Sequence, residues 1–533
     1  MDLGVEDLTA TAPDKNVIAL GRMTYGATAS LVNKVTKEGL KSFIEQQLNP
    51  TADDELVTQK ISQTLLPIKY EAKEDKYPGV DEMRPLGLWN APIDQLWPLA
   101  NYKTPMAQQE RNRPLEEVRA ISWIRAVYSQ WQLQEIMVEF WHNHFNVNPD
   151  SDIKISVSFP VYDRDVIRKN CFGNFQAFLE DVAQSTAMQY YLDNASSKAS
   201  PANENYAREL FELHTLGSDN YLNSLYNRWR EVPGALSGKP IGYIDEDVYE
   251  AARSFTGWTI ADGAGTGKGE SLPLTGSFYY YDGWHDNYQK RVLGVEFSPN
   301  QPPLADGKKV LDLVANHPAT AKNICRKICA KLIHEKPPAA VVNGAAQVWI
   351  ANKSNPHQIR EVLRYILLSK EFTQNWGKKV KTPFELIASI LRVTEADFTP
   401  HAQMTGFLNQ MGYLHYHWPT PTGHPDKMEY WLSSTTMLTR WNLGMGLLVN
   451  PPNKIAHYNF QAMMPEVKTV RESIQFWSQR ILLRNKSDEF IDALGNTLAK
   501  GKANLQSVPS ADVAKAIPPL IALLTMTPDF QLK

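Results

Sequence analysis

Apolar residues recur at a helical period over most of the chain. Leu31, Val32, Val35, Leu40, Phe43, Ile44 and Leu48 form one such stripe, and Pro50 ends it. Residues 67–115 lose the period. They are rich in Pro, Tyr and charge, and they predict a long irregular arm across the surface. From Leu115 the period returns in LEEVRAISWIRAVYSQ and WQLQEIMVEFWHNHF. It breaks at Asn148, Pro149, Asp150 and Ser151, then resumes through DRDVIRKNCFG and NFQAFLEDVAQSTAMQYYLDN. The loop ASSKASPANE leads into NYARELFELHTLG, which Gly217 closes as a C-cap. A polar connector over 218–245 precedes DEDVYEAARSFTGWTI, read as a short helix with Asp245 placed to cap it.

Residues 261–300 are rich in Gly, Tyr and Trp, and GSFYYYDGW is β-prone, so a hairpin or two is expected there. HPATAKNICRKICAKLIHE, PHQIREVLRYILLSKEF and KTPFELIASILRVTEA are amphipathic helices. Residues 400–430 read as a loop of aromatics, Pro and Gly; WLSSTTMLTRWNLGMGLL and the last part of the chain read as helical. The expected fold class is all-α, a multi-helix globular protein with small β-hairpin elements near residues 275–295. Four regions follow: 1–115, N-terminal helices and arm; 116–260, a helical core carrying the candidate site; 261–300, an aromatic β-prone insertion; and 301–533, a C-terminal helical region with an aromatic loop at 410–431. A chain of 533 residues is longer than one core usually serves, which predicts two to four subdomains.

Composition narrows the function classes. With 43% apolar and 21% charged residues and a net charge of −3, the chain is ordinary for a globular protein. No Lys/Arg stripe exists to neutralise a phosphate backbone, so nucleic acid is not an expected partner. No run of 18 apolar residues predicts a membrane span. Cys171, Cys325 and Cys329 do not make a disulfide framework; Cys325 and Cys329, four apart, read as small buried residues on one helix face. The first residues lack a basic segment followed by an apolar one. As written the chain is read as cytoplasmic, with export the alternative if a leader has been removed.

Several segments together resemble the bacterial "domain of unknown function 1800" family: LQEIMVEFWHNHFNV, VIRKNCFGNF, YYLDNASS, PANENYARELFELHTLG, DVYEAARSFTGWT, HD at 285–286, HPATAKNICRKICAKLI and WPTPTGHPD. They run in order from about residue 15 to about 525. The resemblance implies a helical fold and many exported members. It implies no established activity and no agreed catalytic residues, so the chemistry must be read from the side chains.

Glu135, Glu139 and His142 share one face of a helix that is apolar on most of its circumference, so they are expected to be buried and to need partners. Glu139 and His142 are also the i, i+3 pair that carboxylate-bridged metal proteins use in helical bundles. In NENYARELFELHTLG, Glu204, Arg208 and Glu212 can form an i, i+4, i+8 ladder, while Glu209, Glu212 and His214 add carboxylates and a ring near the helix end. If the two helices pack together, Glu139, His142, Glu209, Glu212 and His214 form a donor set suited to Fe, Mn or Zn. The alternative is a buried polar network that fixes helix register. His144, with Asn143 and Asn146, can line a cleft where the first helix stops; its HNH string lacks the ββα context of a nuclease.

Two loops add candidates. Trp284, His285 and Asp286 lie in an aromatic, β-prone segment, with His285 a candidate catalytic group and an Asp-stabilised turn the structural alternative. In GYLHYHWPTPTGHPDKMEYW, His415, His417 and His424 join Tyr413, Tyr416, Trp418, Tyr430 and Trp431; such rings suit stacking on a flat ligand or sugar face, or packing as a lid. No GxSxG elbow, phosphate-binding GxxxxGK[ST] loop or HExxH occurs, and the glycines of GAGTGKGE are misspaced for the phosphate loop.

The expected catalytic residues are therefore Glu139, His142, Glu212 and His285, and the expected ligand contacts are His144, Arg208, Trp284, Asp286, His417 and Trp418. Three functions compete. The first is a metal-dependent enzyme, hydrolytic or oxidative, with its site between helices 131–145 and 203–216. The second is a binding or scaffold protein whose aromatic loops hold a glycan, a small molecule or a partner protein, a second copy of the chain included. The third is a metal-free acid/base enzyme acting on glycosides.

Overall fold

Helices dominate the computed structural model, which describes residues 12–51, 54–401, 403–451, 455–465, 467, 469–498 and 510–533. The reading of the first residues as leaderless falls largely on 1–11, and part of the C-terminal helical reading on 499–509; both lie outside the described residues. The chain opens with α1 (Lys15–Met23), α2 (Ala29–Glu38), α3 (Leu40–Leu48) and α4 (Glu55–Gln63). Asp14 and Thr28 cap the first two, accepting from Asn16 and Leu31 amides.

The arm expected over 67–115 is more ordered than its composition predicts. β1 (Leu65–Tyr70) and β2 (Val80–Pro85) pair antiparallel, and α5 (Gln108–Tyr128) begins well ahead of Leu115. Only Ile68 of this hairpin is buried, so its sequence carries no apolar alternation to reveal it. α6 (Gln132–His144) is buried on nearly every side, as its apolar circumference implied. α7 (Ile153–Val161) contains Pro160. Proline has no amide to donate, and the helix opens directly into a π-helical turn, Tyr162–Arg168. After α8 (Phe175–Gln184) and α9 (Thr186–Tyr191), α10 (Asn205–Glu209) continues into a second π-helical turn, Leu210–His214.

Two expectations for 245–300 are corrected. α11 (Asp245–Ser254) is closed by Asp247, whose Oδ2 accepts from the Ile244 amide at 3.0 Å; Asp245 instead accepts from the Tyr221 hydroxyl at 2.7 Å. Trp258, Thr259 and Ile260, assigned to that helix by periodicity, lie in a strand, because Gly257 turns the chain with φ +81°. β3 (Trp258–Asp262) pairs with β4 (Leu274–Tyr280), and β5 (Lys290–Val292) with β6 (Val295–Phe297). The protein is mainly helical with small hairpins, two of which, β1–β2 and β3–β4, start earlier than 275.

α12 (Ala305–Ala315), α13 (Pro318–Leu332), α14 (Ala339–Ala351), α15 (Gln358–Leu367) and α16 (Pro383–Val393) follow. The expected loop at 400–430 contains a short α17 (Gln403–Gln410) before its aromatic part, and α18 (Ser434–Leu448) comes next. α5 packs on α7 and α16, α13 on α14, and α6 on α3 and the first π-turn. One cluster of buried apolar side chains runs from Ala19 to Phe530 and includes Cys171, Cys325 and Cys329, all free thiols. Among the described residues no helix is long and apolar enough to cross a membrane.

Candidate functional site

α6 and α13 border a cleft of about 920 Å³, and the loop from Tyr413 to Lys427 completes its lining. Glu139, His142 and His144 come from α6, Lys327 and Lys331 from α13, and Tyr413, His415, Trp418 and His424 from the loop. The helix that carried the strongest polar signal and the aromatic loop thus share one cavity.

Glu139 is held by three donors. Tyr25 and Tyr413 donate their hydroxyls to it at 3.2 and 3.4 Å, and Lys331 Nζ lies 3.1 Å from Oε2. Lys331 also contacts Glu385 at 2.9 Å, and Lys533 reaches Glu385 at 2.5 Å. Burial pulls the Lys331 ammonium down, but Glu139 and Glu385 outweigh it and hold it above the usual lysine range. Burial likewise opposes the charge on Glu385, yet Lys331 and Lys533 keep it well below the usual carboxylate range. Two carboxylates and two ammonium groups therefore alternate through the protein, each satisfied by its neighbours.

His142 is positioned by Asp163. Its Nε2 lies 2.9 Å from Asp163 Oδ1, and the first π-turn brings that carboxylate to it. Arg125 lies 3.5 Å from Asp163 Oδ2, and Arg168 binds Glu135 through two hydrogen bonds, at 2.8 and 3.0 Å. Burial resists ionisation of Asp163, but Arg168, His142 and Arg125 keep it ionised far below the usual range. Burial lowers His142 below an ordinary histidine, although Asp163 pulls the other way. The ring is therefore neutral near pH 7. With an ionised acceptor at Nε2, that nitrogen carries the proton and Nδ1 is the basic atom.

The two helices expected to build a metal site meet at their C-terminal histidines. His144 donates from Nε2 to the His214 carbonyl at 3.2 Å, and the rings are 6.2 Å apart. Lys327 Nζ lies 3.3 Å from His144 Nδ1 and 3.0 Å from the Leu213 carbonyl. Burial lowers Lys327 to about 8 and His214 to about 3, and holds His144 well below an ordinary histidine. Both ring nitrogens of the fully buried His214 lack a hydrogen-bond partner.

The loop wall is clamped to α6. The His424 amide donates to Asn143 Oδ1 at 2.6 Å, and Asn143 Nδ2 donates to the His424 carbonyl at 3.0 Å. Asn146 Nδ2 donates to the carbonyls of Trp418 and Thr420. His424 stacks on Tyr413 with ring centroids 4.1 Å apart, and His415 stacks on Phe384, also at 4.1 Å. His415 is only 6% exposed, and neither ring nitrogen has a partner. His417 Nδ1 contacts Asp150 Oδ2 at 2.7 Å, and Trp418 is half-buried beside His424.

The remaining expected residues lie elsewhere. Glu209 and Glu212 do not line the cleft. Glu204 pairs with Arg208 at 3.1 Å as expected, but the ladder stops there: the π-turn shifts the register before Glu212, and Arg208 reaches Asp245 at 3.6 Å. Asp286 is held by Arg253 at 2.8 and 3.0 Å, and His285 Nδ1 donates to the Thr256 carbonyl at 2.8 Å. Trp284 donates to the Thr266 carbonyl, with Lys198 over its ring. These three form a buried network that fixes the hairpin region, apart from the cleft.

The donor set for Fe, Mn or Zn does not come together. Glu139 faces lysine and tyrosines, His142 faces Asp163, and His214 lies behind His144. Among the described residues no group of three or more His, Cys, Asp or Glu is arranged to hold a metal ion. The periodicity argument missed Asp163, Lys327 and Lys331. Asp163 follows a helix-breaking proline, and the two lysines are four apart beside the cysteine pair; these were the available signals.

A family model described as "Protein of unknown function (DUF1800)" matches residues 18–532, nearly the whole chain, in accord with the motifs above. No match was found among curated proteins or among solved structures.

Proposed function

We propose that this chain, which belongs to the DUF1800 family, is an enzyme that performs acid–base chemistry on a small polar molecule or a glycan segment in the cleft bounded by α6, α13 and the 413–427 loop. The observation that carries this reading is the Asp163–His142 pair at the cleft wall. A neutral imidazole with one nitrogen held by a buried carboxylate can take a proton from substrate at the other nitrogen. The carboxylate then stabilises the imidazolium and fixes the ring's orientation. Glu139 has its carboxylate oxygens engaged by Lys331, Tyr25 and Tyr413. The cleft volume falls within the range of roughly 300–1,000 Å³ typical of small-molecule sites, and Trp418 offers a stacking face.

The test is turnover of a panel of ester, amide, glycoside and phosphomonoester substrates by purified protein. His142→Gln and Asp163→Asn should each lower the rate by at least about 100-fold. Turnover unchanged in His142→Gln would overturn the reading. The half-buried Trp418 supports a second reading, a binding protein. A ligand that needs Trp418 for affinity and is never turned over would favour it.

A further inference from the structure

We infer that the cleft takes an oxyanion (a carboxylate, phosphate or sulfate) carried on a sugar-sized polar body, with Lys327 as the group that holds the anion. The inference rests on the cleft being the working site, and it adds the class of ligand.

The ionic balance of the lining supports it. Glu139 is matched by Lys331, and Asp426 by Lys379 at 2.9 Å. Arg326, Lys327, Lys336 and Lys427 remain, facing Glu335 and Glu429. The Glu335 carboxylate accepts the Met428 amide at 2.6 Å, a neutral donor that leaves its charge in place, so four cations stand against two carboxylates. The unmatched charge is therefore positive.

Lys327 is the built part of the site. An ammonium has three donors. The Leu213 carbonyl takes one and His144 Nδ1 a second. His144 is fixed as an acceptor there, because its Nε2–H is committed to the His214 carbonyl. Among the described residues no carboxylate pairs with Lys327. A half-buried ammonium with two neutral acceptors and no counter-ion is incomplete until an anion arrives.

His415 also lines the cleft, but both of its ring nitrogens are sealed from solvent, so it adds wall and no hydrogen bond to the ligand. Trp418, half-buried on the lining, supplies a flat face for the body of such a ligand.

The probes are glucuronate, glucose 6-phosphate and glucose 6-sulfate, compared with glucose by titration calorimetry at fixed ionic strength. At least one anion should bind at least about tenfold tighter than glucose, and the tightest of the three identifies the anionic group. Lys327→Gln should abolish the preference and Lys327→Arg should keep most of it. The same anion should shield Lys327 of the wild-type protein from reductive methylation, read by mass spectrometry with exposed Lys41 as the internal reference; this arm does not depend on a variant folding. Equal affinity for glucose, no binding by any of the three anions, or a preference that survives in Lys327→Gln would overturn the inference. Lys327-dependent anion binding without turnover would sink the acid–base reading and leave the anion site standing. His142-dependent turnover of neutral substrates with no anion preference would do the reverse.

Discussion

Gly423 lies against Asn143 with no room for a side chain. Its φ is +71°, and a methyl group built there would overlap the Asn143 carbonyl oxygen. The neighbouring pair of hydrogen bonds between Asn143 and His424 makes this the point where the aromatic loop is fastened to α6. Gly423→Ala should therefore loosen the cleft wall. The backbone strain alone is worth roughly 1–3 kcal/mol. Hydrogen exchange should accelerate over 413–427 and stay unchanged in α14 and α15. Uniform protection of the loop in the variant would mean that other contacts hold it.

Asp163→Asn keeps the shape of its site and removes the charge. Asp163 is what pulls His142 upward against burial, so the variant's imidazole should titrate lower than in the wild type and lose its fixed tautomer. Heteronuclear NMR of the ring nitrogens reads both effects. An unaltered His142 spectrum would show that the 2.9 Å contact does not set the ring's protonation.

How much of this was legible in the sequence depended on whether a residue's partner was close in the chain. The face shared by Glu135, Glu139 and His142 followed from helix periodicity, and so did the burial of that helix. Their partners did not: Arg168, Lys331 and Asp163 come from other elements. The ladder from Glu204 to Glu212 failed for a local reason. Periodicity assumes i→i−4 hydrogen bonding, and the π-turn at Leu210–His214 breaks that assumption. The aromatic loop was readable as ordered and ring-rich; its non-helical reading fails at the end, where Met428–Trp431 form a helical turn. That it faces α6 was not: Asn143 was expected to line a cleft at the helix end, but its clamp to His424 joins residues 281 apart in the chain. Trp284, His285 and Asp286 stood out because polar residues in an aromatic segment are conspicuous, and Arg253 and Thr256 satisfy the polar groups locally.

Lys331→Met tests the alternating charges beneath the cleft. Removing the ammonium leaves Glu139 with two phenols and Glu385 with Lys533. Breaking one partner of a buried pair typically costs about 3–5 kcal/mol, so urea unfolding should shift by that order. Adding Glu139→Gln to Lys331→Met should recover part of the loss, because it removes the orphaned charge. Two losses that simply add would mean that Lys331 and Glu139 are not coupled.

Acid stability follows from the buried histidines. Burial lowers His424 to about 4 and His214 to about 3, and holds His144 and His415 well below an ordinary histidine. In the unfolded chain each titrates near 6.5. Because the folded values are depressed, the stability these rings contribute is fully present above pH 6.5 and is lost as pH falls toward the folded values. Each ring adds up to about 1.4 kcal/mol per pH unit to that slope. Urea unfolding measured from pH 7.5 down to 4.5 should therefore show stability falling steeply below 6.5. His415→Phe isolates one ring. Its nitrogens have no partners, and it stacks on Phe384 and meets Tyr416 at a tilt, so the variant should fold, and its pH slope should drop by about one proton. An unchanged slope would mean that His415 is already charged or solvated in the folded protein.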